Sequence, residues 1–441
     1  MVEKSISSSV KLTLGGLFFF SLPNIFGSLL EPVTGIVDTA LIGNRDTTWL
    51  AALSLGVVIL SSFTWVFNFL IHTSIQSVSE AYSLGDSNQI HSRVKVAILL
   101  SILVGLISSI LLYFFSSPVF DFVGAEGELR PLALEYFHIR LVGQPFLIIG
   151  GTLISILRGF ERVRSCFILI AISTLLNSGL SWIFLEFTDL GLAAVAWGSV
   201  IGAFFTAVIS FILVLNTKAI VFKSLFIAEV KGEWLSFGKN SFNMFCRSMI
   251  LTGSFFICTK SAARLGHIPL ASHQILLEFW LFSSFFTDGL ALTGNILASR
   301  FKAINDIESF QSMKKNLLIL SLFFGVSFTF FYMVLERQLI GIFTNDPAVI
   351  SVVKSIWPYL AFSQLFLCAT YVYDGLLFGL GRFDYVRKHM FLGFLFSFLP
   401  FIIYSFYGDQ LIWVWLGLIG LGFYRVFIGY FGSINFNREL S

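Results

Sequence analysis

Residues 12–43 read LTLGGLFFFSLPNIFGSLLEPVTGIVDTALIG. This stretch carries two ionisable side chains, Glu31 and Asp38, and two prolines, Pro23 and Pro32. A transmembrane helix needs about 20 predominantly apolar residues. The segment is therefore long enough to cross a bilayer with tilt or bend to spare. Proline removes a backbone donor and clashes with the preceding turn, so Pro23 and Pro32 predict a helix that bends or breaks. Glu31 and Asp38 are two turns apart and share a face. A charged side chain in the bilayer core costs about 2.5–3.5 kcal/mol on insertion scales, so one that is kept there needs a reason. A carboxylate beside a proline kink can bind a cation or take a proton, and Asp38 is the stronger candidate. The competing readings are structural: Asp38 near the outer end, meeting water or the loop carrying Arg45, and Glu31 capping the kink at Pro32.

The rest of the chain is of the same kind. Of its 441 residues, 56% are hydrophobic and 12% charged. Soluble domains carry about 25% charged residues. Half that supply cannot cover a globule of this size with polar surface, which excludes a water-soluble enzyme. Apolar windows fall near 12–43, 50–79, 94–117, 132–157, 166–187, 190–215, 241–264, 270–298, 316–336, 349–378, 388–407 and 410–431. They predict an all-α polytopic membrane protein with twelve transmembrane helices. Lys and Arg orient it. Counted with Lys95, Arg264 and Lys388 at the window edges, the termini and the loops after even-numbered spans hold 19 of them, and the loops after odd-numbered spans hold 4. Both termini are expected in the cytoplasm, with the protein in the inner (cytoplasmic) membrane. No removable signal peptide is expected, because no short apolar region ends in a small-residue cleavage site. The net charge of +3 indicates no nucleic-acid partner. Cys166, Cys246, Cys258 and Cys368 form no CxxC pair and read as small core residues.

The halves repeat at a constant offset of 220 residues. Leu50-Ala51 matches Leu270-Ala271, Asp86 matches Asp306, and Gln144 matches Gln364. Phe146-Leu147 matches Phe366-Leu367. Leu157, Gly159 and Arg162 match Leu377, Gly379 and Arg382. Six intervening helices preserve orientation, so the expectation is two pseudo-symmetric six-helix lobes: 1–215, a cytoplasmic linker 216–240 with four lysines, and 241–441. Transporters built from such halves bind substrate between or within lobes and alternate access by moving one against the other.

Other polar groups at membrane depth are candidates of lesser weight. His72, Gln76 and Glu80 form a stripe best read as a solvated helix end. Asn177 and Ser181, one turn apart, line a cavity or join helices, and Ser199 is a third such position. In the second half Arg247 can pair with Asp288 or Asp374, each preceding Gly-Leu, in a structural ion pair or at a substrate site. Six histidines show neither HxxxH nor HExxH spacing, so neither an enzyme nor a metal site is expected.

The pattern from Pro23 through Pro32-Val-Thr-Gly-Ile-Val-Asp38-Thr-Ala-Leu-Ile-Gly43 resembles the signature of the multidrug and toxic compound extrusion (MATE) transporters. The likeness continues in Leu50-Ala51-Ala52-Leu53, Arg158-Gly159, Ala262-Ala263-Arg264-Leu265-Gly266, Ala271-Ser272-His273-Gln274-Ile275 and Phe343-Thr344-Asn345-Asp346. Asp288-Gly289-Leu290-Ala291 and Asp374-Gly375-Leu376-Leu377-Phe378-Gly379 resemble the DinF-like branch. The resemblance implies a twelve-helix, two-lobe fold and export coupled to H⁺ or Na⁺ entry. It also implies that Asp38 is the coupling residue, that its protonation bends the helix at Pro23, and that its hydrogen-bonded partners are Asn177 and Ser199. The family often has an Asp one turn after the asparagine, where this chain has Ser181. A Na⁺ site would then rest on neutral oxygens, so H⁺ is favoured, with Asp38, helped by Glu31, as a single-proton site. The expected function is a monomeric antiporter exporting lipophilic or cationic compounds, with no cofactor beyond the coupling ion. The alternative is a flippase for a lipid-linked or amphiphilic substrate, which would want more intramembrane cations than Arg140, Arg247 and Lys260.

Overall fold

The computed structural model describes residues 10–43, 45–67, 69–122, 127 and 129–439, and no strand occurs among them. The helices in chain order are α1 (Leu14–Gly43), α2 (Thr47–Phe67), α3 (Phe69–Leu84), α4 (Ser87–Phe114), α5 (Ser116–Phe122), α6 (Leu129–Gly159), α7 (Val163–Phe187), α8 (Ala193–Leu215) and α9 (Phe222–Ile227). They continue with α10 (Lys231–Arg264), α11 (His267–Ala303), α12 (Ile307–Val334), α13 (Glu336–Phe343), α14 (Pro347–Gly379), α15 (Phe383–Gly393), a π-helical turn (Phe394–Phe398), α16 (Leu399–Gly408) and α17 (Leu411–Glu439). Ten of the described spans are long and apolar enough to cross a membrane. The two remaining apolar windows fall on α2 with α3, and within α10. The chain is thus an all-α, multi-pass membrane protein of twelve membrane segments in two six-helix lobes.

The first span does not break at its prolines. α1 is one helix through both Pro23 and Pro32, and α6 and α14 likewise hold Pro145 and Pro358 internally. Each proline forfeits one backbone bond, a loss that packed neighbours in a membrane protein tolerate.

The chain forms two compact units, one of residues 26–239, the other of residues 240–441 with the segment ending at Ile25. The expected boundaries differ at both places, for identifiable reasons. The presumed linker is tied to the first unit. Lys95 Nζ donates to the carbonyls of Phe226 (2.6 Å) and Ala228 (3.0 Å), the Val221 N–H donates to His91 Nε2 (2.9 Å), and Ser92 bonds the Glu229 carbonyl. Arg93 holds Glu233 at 3.1 Å. The start of α1 is tied to the second unit. Asn24 Nδ2 donates to Thr293 Oγ1 at 3.3 Å, and Gly289 admits the backbone of Ile25 so closely that a Cβ there would lie 2.4 Å from its nitrogen.

The duplication reaches individual turns. α4 and α12 begin at Ser87 and Ile307 and end at Phe114 and Val334, each boundary displaced by 220. Their N-caps are the matched pair Asp86 and Asp306, whose carboxylates accept from Gln89 N (3.1 Å) and Ser309 N (3.0 Å). Capping of this kind answers N–H groups that a helix start leaves open. The residue before each cap is left-handed, Gly85 at φ 68° and Asn305 at φ 54°. After α6 and α14, the Arg162 and Arg382 N–H groups reach back to the Leu157 (2.9 Å) and Leu377 (3.0 Å) carbonyls. Glycine permits the same close approach in both units. A Cβ on Gly105 would lie 2.8 Å from Pro145 Cα, and one on Gly325 would lie 2.7 Å from the Gln364 carbonyl oxygen. Gly105→Ala and Gly325→Ala should each lower the thermal stability of purified protein, by an overpacking cost of roughly 1–3 kcal/mol. Gly151→Ala, whose methyl meets nothing within 4 Å, should not. Equal melting temperatures for all three would contradict this packing.

Candidate functional site

The first unit buries a carboxylate. Asp38, on the second half of α1, is 4% exposed. Beside it stand the hydroxyls of Ser181 on α7 and Ser199 on α8, and the Arg140 guanidinium on α6 acts on its charge. Tyr136, one turn before Arg140 and fully within the core, is close enough to feel the Asp38 charge too. Asn177, one turn before Ser181, donates through Nδ2 to Ser199 Oγ at 3.3 Å.

Small residues make this cluster possible. A Cβ on Gly198 would lie 2.6 Å from Ser181 Oγ, and one on Gly202 would lie 3.0 Å from Asn177 Cβ. Two glycines one turn apart on α8 therefore let the polar face of α7 lie flush against it. Close approach of this kind is the usual office of small residues between membrane helices.

The cluster is not saturated. Asp38 Oδ1, Asn177 Oδ1 and Ser181 Oγ are buried without a hydrogen-bond partner. Buried polar atoms are rarely left so, and those that are call for an explanation such as a proton, a water or an ion. An unmet carboxylate oxygen and two other unmet oxygens in one cluster can share a proton or surround a small cation. Among the described residues no group of three or more His, Cys, Asp or Glu is placed to hold a metal ion.

The second unit treats its carboxylate differently. Asp374 Oδ2 on α14 accepts from Arg247 Nη2 on α10 and from Arg425 Nη2 on α17, both at 2.6 Å. Arg247 lies over the Phe378 ring at 5.4 Å and Arg425 over the Tyr371 ring at 5.6 Å. The Tyr371 hydroxyl donates to Ser284 Oγ at 2.6 Å, and Asp288 is near enough to act on Tyr371 electrostatically. Arg247 thus pairs with Asp374 of the two aspartates considered from the sequence.

Of the residues singled out from sequence, Asp38, Asn177, Ser181 and Ser199 converge. The side chain of Glu31 lies outside the described residues. Pro23 and Pro32 sit within continuous α1. The stripe on α3 resolves into structure at a helix end: Gln76 Nε2 donates to Glu80 Oε2 (2.9 Å), and Glu80 pairs with Arg93 (3.1 Å). Sequence reasoning did not place three participants at these sites, although Arg140 stood out as an intramembrane cation. Tyr136 and Arg140 carried a signal in their four-residue spacing, which places both on one face of α6. Arg425 carried only that of a cation within an apolar run.

The family model MatE matches this chain twice, over residues 23–183 and 244–403. The chain belongs to the MATE family. The two matches begin at 23 and 244, in step with the internal repeat. Among relatives of this MATE chain is "Protein DETOXIFICATION 45, chloroplastic" of Arabidopsis thaliana, 25% identical over 91% of this chain and 75% of that protein. Another is "DNA damage-inducible protein F" of Escherichia coli, 23% identical over 62% of this chain and 61% of that protein. A solved MOP superfamily transporter from Pyrococcus furiosus superposes with a TM-score of 0.87 at 16% identity, over 97% of this chain and 98% of its own. That likeness is one of fold.

The two carboxylates of this MATE protein should respond very unequally to neutralisation. Asp374→Asn removes the partner of two buried guanidinium groups, which should destabilise by roughly 3–5 kcal/mol. Asp38→Asn removes a carboxylate that already lacks a partner on one oxygen and should cost far less. Thermal unfolding of the two purified variants decides it, and a larger loss for Asp38→Asn would refute this division of labour.

Proposed function

We propose that this MATE protein is a secondary active antiporter that exports lipophilic or cationic compounds in exchange for H⁺. It would act as a monomer in the inner membrane, with both termini cytoplasmic and no cofactor beyond the coupling ion. The observation that carries this reading is the buried Asp38 carboxylate, one oxygen of which lacks a hydrogen-bond partner, among neutral oxygens. A proton on Asp38 turns an acceptor into an O–H donor, and Asn177 Oδ1 and Ser181 Oγ are acceptors with nothing yet to accept. Loss of the proton leaves a buried charge facing Arg140 and two hydroxyls. The two protonation states thus ask for different hydrogen-bond arrangements around the end of α1, which is what a coupling group must do to bias a conformation. Asn177, Ser181 and Ser199 are the partners that answer the change. Glu31 is a second carboxylate on the same helix, and Pro23 and Pro32 are the points where that helix has fewest backbone bonds to hold it straight. Arg247, Asp288 and Asp374 serve the other lobe, as a fixed polar scaffold near its substrate path.

The same unmet oxygens support Na⁺ as a second reading, since a hard cation is held by carboxylate, amide and hydroxyl oxygens. The flippase alternative is less well supported, because Arg247 and Arg425 are both committed to Asp374.

In proteoliposomes, Asp38→Asn should abolish efflux driven by a pH gradient while substrate still binds. Unchanged ΔpH-driven efflux in that variant would sink the proton mechanism. Efflux that needs a Na⁺ gradient and ignores ΔpH would move the assignment to Na⁺. A reporter fused to the C-terminus should be active in the cytoplasm only, and a signal from the outer side would overturn the topology.

A further inference from the structure

The first unit has an apolar groove of about 500 Å³ on its flank, bounded by α4, α6, α8 and the short helix α9. Leu99, Phe146, Phe204, Val208 and Phe226 are among its walls, and every lining residue but Lys95 is apolar. Leu99, Phe204 and Val208 are 41%, 50% and 39% exposed, so the groove opens outward. In a membrane protein an outward-facing apolar groove along a span meets hydrocarbon chains. It differs from a plain lipid-facing surface at one point. There Lys95 reaches across from α4, giving two of its three N–H groups to the Phe226 and Ala228 carbonyls at the end of α9. The third is left for an acceptor at the mouth of the groove.

α9 and its flanks extend the same chemistry. Val221, Phe222, Phe226 and Ile227 are all more than half exposed. Lys218 and Lys223 lie on the same short segment. Apolar rings beside lysines, at the end of the lobe where Lys and Arg collect, are the composition of a segment lying in a membrane interface. Excess positive charge beside an apolar groove complements an amphiphile with a negative head and a hydrocarbon tail.

We propose that this groove is a binding site for one anionic membrane lipid, its chain along Leu99, Phe146, Phe204 and Val208 and its head group on Lys95, with Lys218 and Lys223 nearby. Because Lys95 also ties α9 and the segment after it to α4, an occupied site would bridge the membrane to the connection that leads into α10.

The test uses the full chain taken from vesicles of equimolar phosphatidylcholine and phosphatidylglycerol, with retained lipids read by native mass spectrometry. The expected result is a monomer carrying phosphatidylglycerol in preference to phosphatidylcholine. Lys95→Gln should cut that preference about fivefold, the weight of one lysine near an anionic surface. Lys95→Gln also loosens α9, so a second variant separates the causes. Val208→Trp fills the groove, leaves the Lys95 bonds to α9 in place, and should displace the bound lipid outright. No preference in the parent protein, or wild-type retention in both variants, overturns the proposal. So does a lipid-free dimer, which would mean that a second copy covers this face.

Discussion

An ionisable group at membrane depth has to be answered from within the protein, because the hydrocarbon around it supplies neither hydrogen bonds nor counter-charge. Much of this architecture follows from how that demand is met at two aspartates. Asp374 is answered in full: two guanidinium groups converge on one of its oxygens, and both are also placed over aromatic rings. Asp38 is answered in part: it has two hydroxyls and a nearby arginine, yet one oxygen remains unmatched. The first arrangement fixes three helices to one another. The second keeps an oxygen in reserve, able to take a proton or face a cation.

The contrast is sharper because the two lobes are copies. Helix starts, N-cap aspartates, left-handed turn residues and glycine contacts recur at a spacing of 220. The backbone plan has therefore been kept where the charged sockets have diverged. Among the described residues, one guanidinium, that of Arg140, acts on Asp38, against two that bond Asp374. At the position matching Asp38 the second half has Cys258, a buried thiol within an apolar run. A common scaffold with unlike sockets suits a transporter in which one lobe carries the coupling ion.

Much of this was legible in the sequence. Charge scarcity, apolar windows and the constant repeat offset suffice for the membrane fold, because hydrophobic length and the backbone's need for internal hydrogen bonds leave helices as the simplest solution. Asp38 was legible because a carboxylate in an apolar run is costly. Asn177, Ser181 and Ser199 were legible as polar positions in spans, and the family resemblance joined two of them to Asp38. Two features were only partly legible. The prolines of α1 suggest a bend or a break, and the helix runs unbroken through both, since one missing N–H is a small loss inside a bundle. The segment 216–240 reads as a linker between the lobes, and its ties to the first unit are not legible because side-chain bonds to backbone carbonyls, such as those of Lys95, leave no mark on composition.

The sequence by itself determined that this chain spans a bilayer as helices, that it is built twice, and that its few intramembrane charges are where the chemistry must be sought. Those are consequences of composition and period, which are local. Only the tertiary structure decided which charges are satisfied. Whether Arg247 pairs with Asp374 or Asp288, whether Arg425 joins it, and whether Asp38 keeps an open oxygen depend on how helices far apart in sequence pack together, which composition and period do not encode.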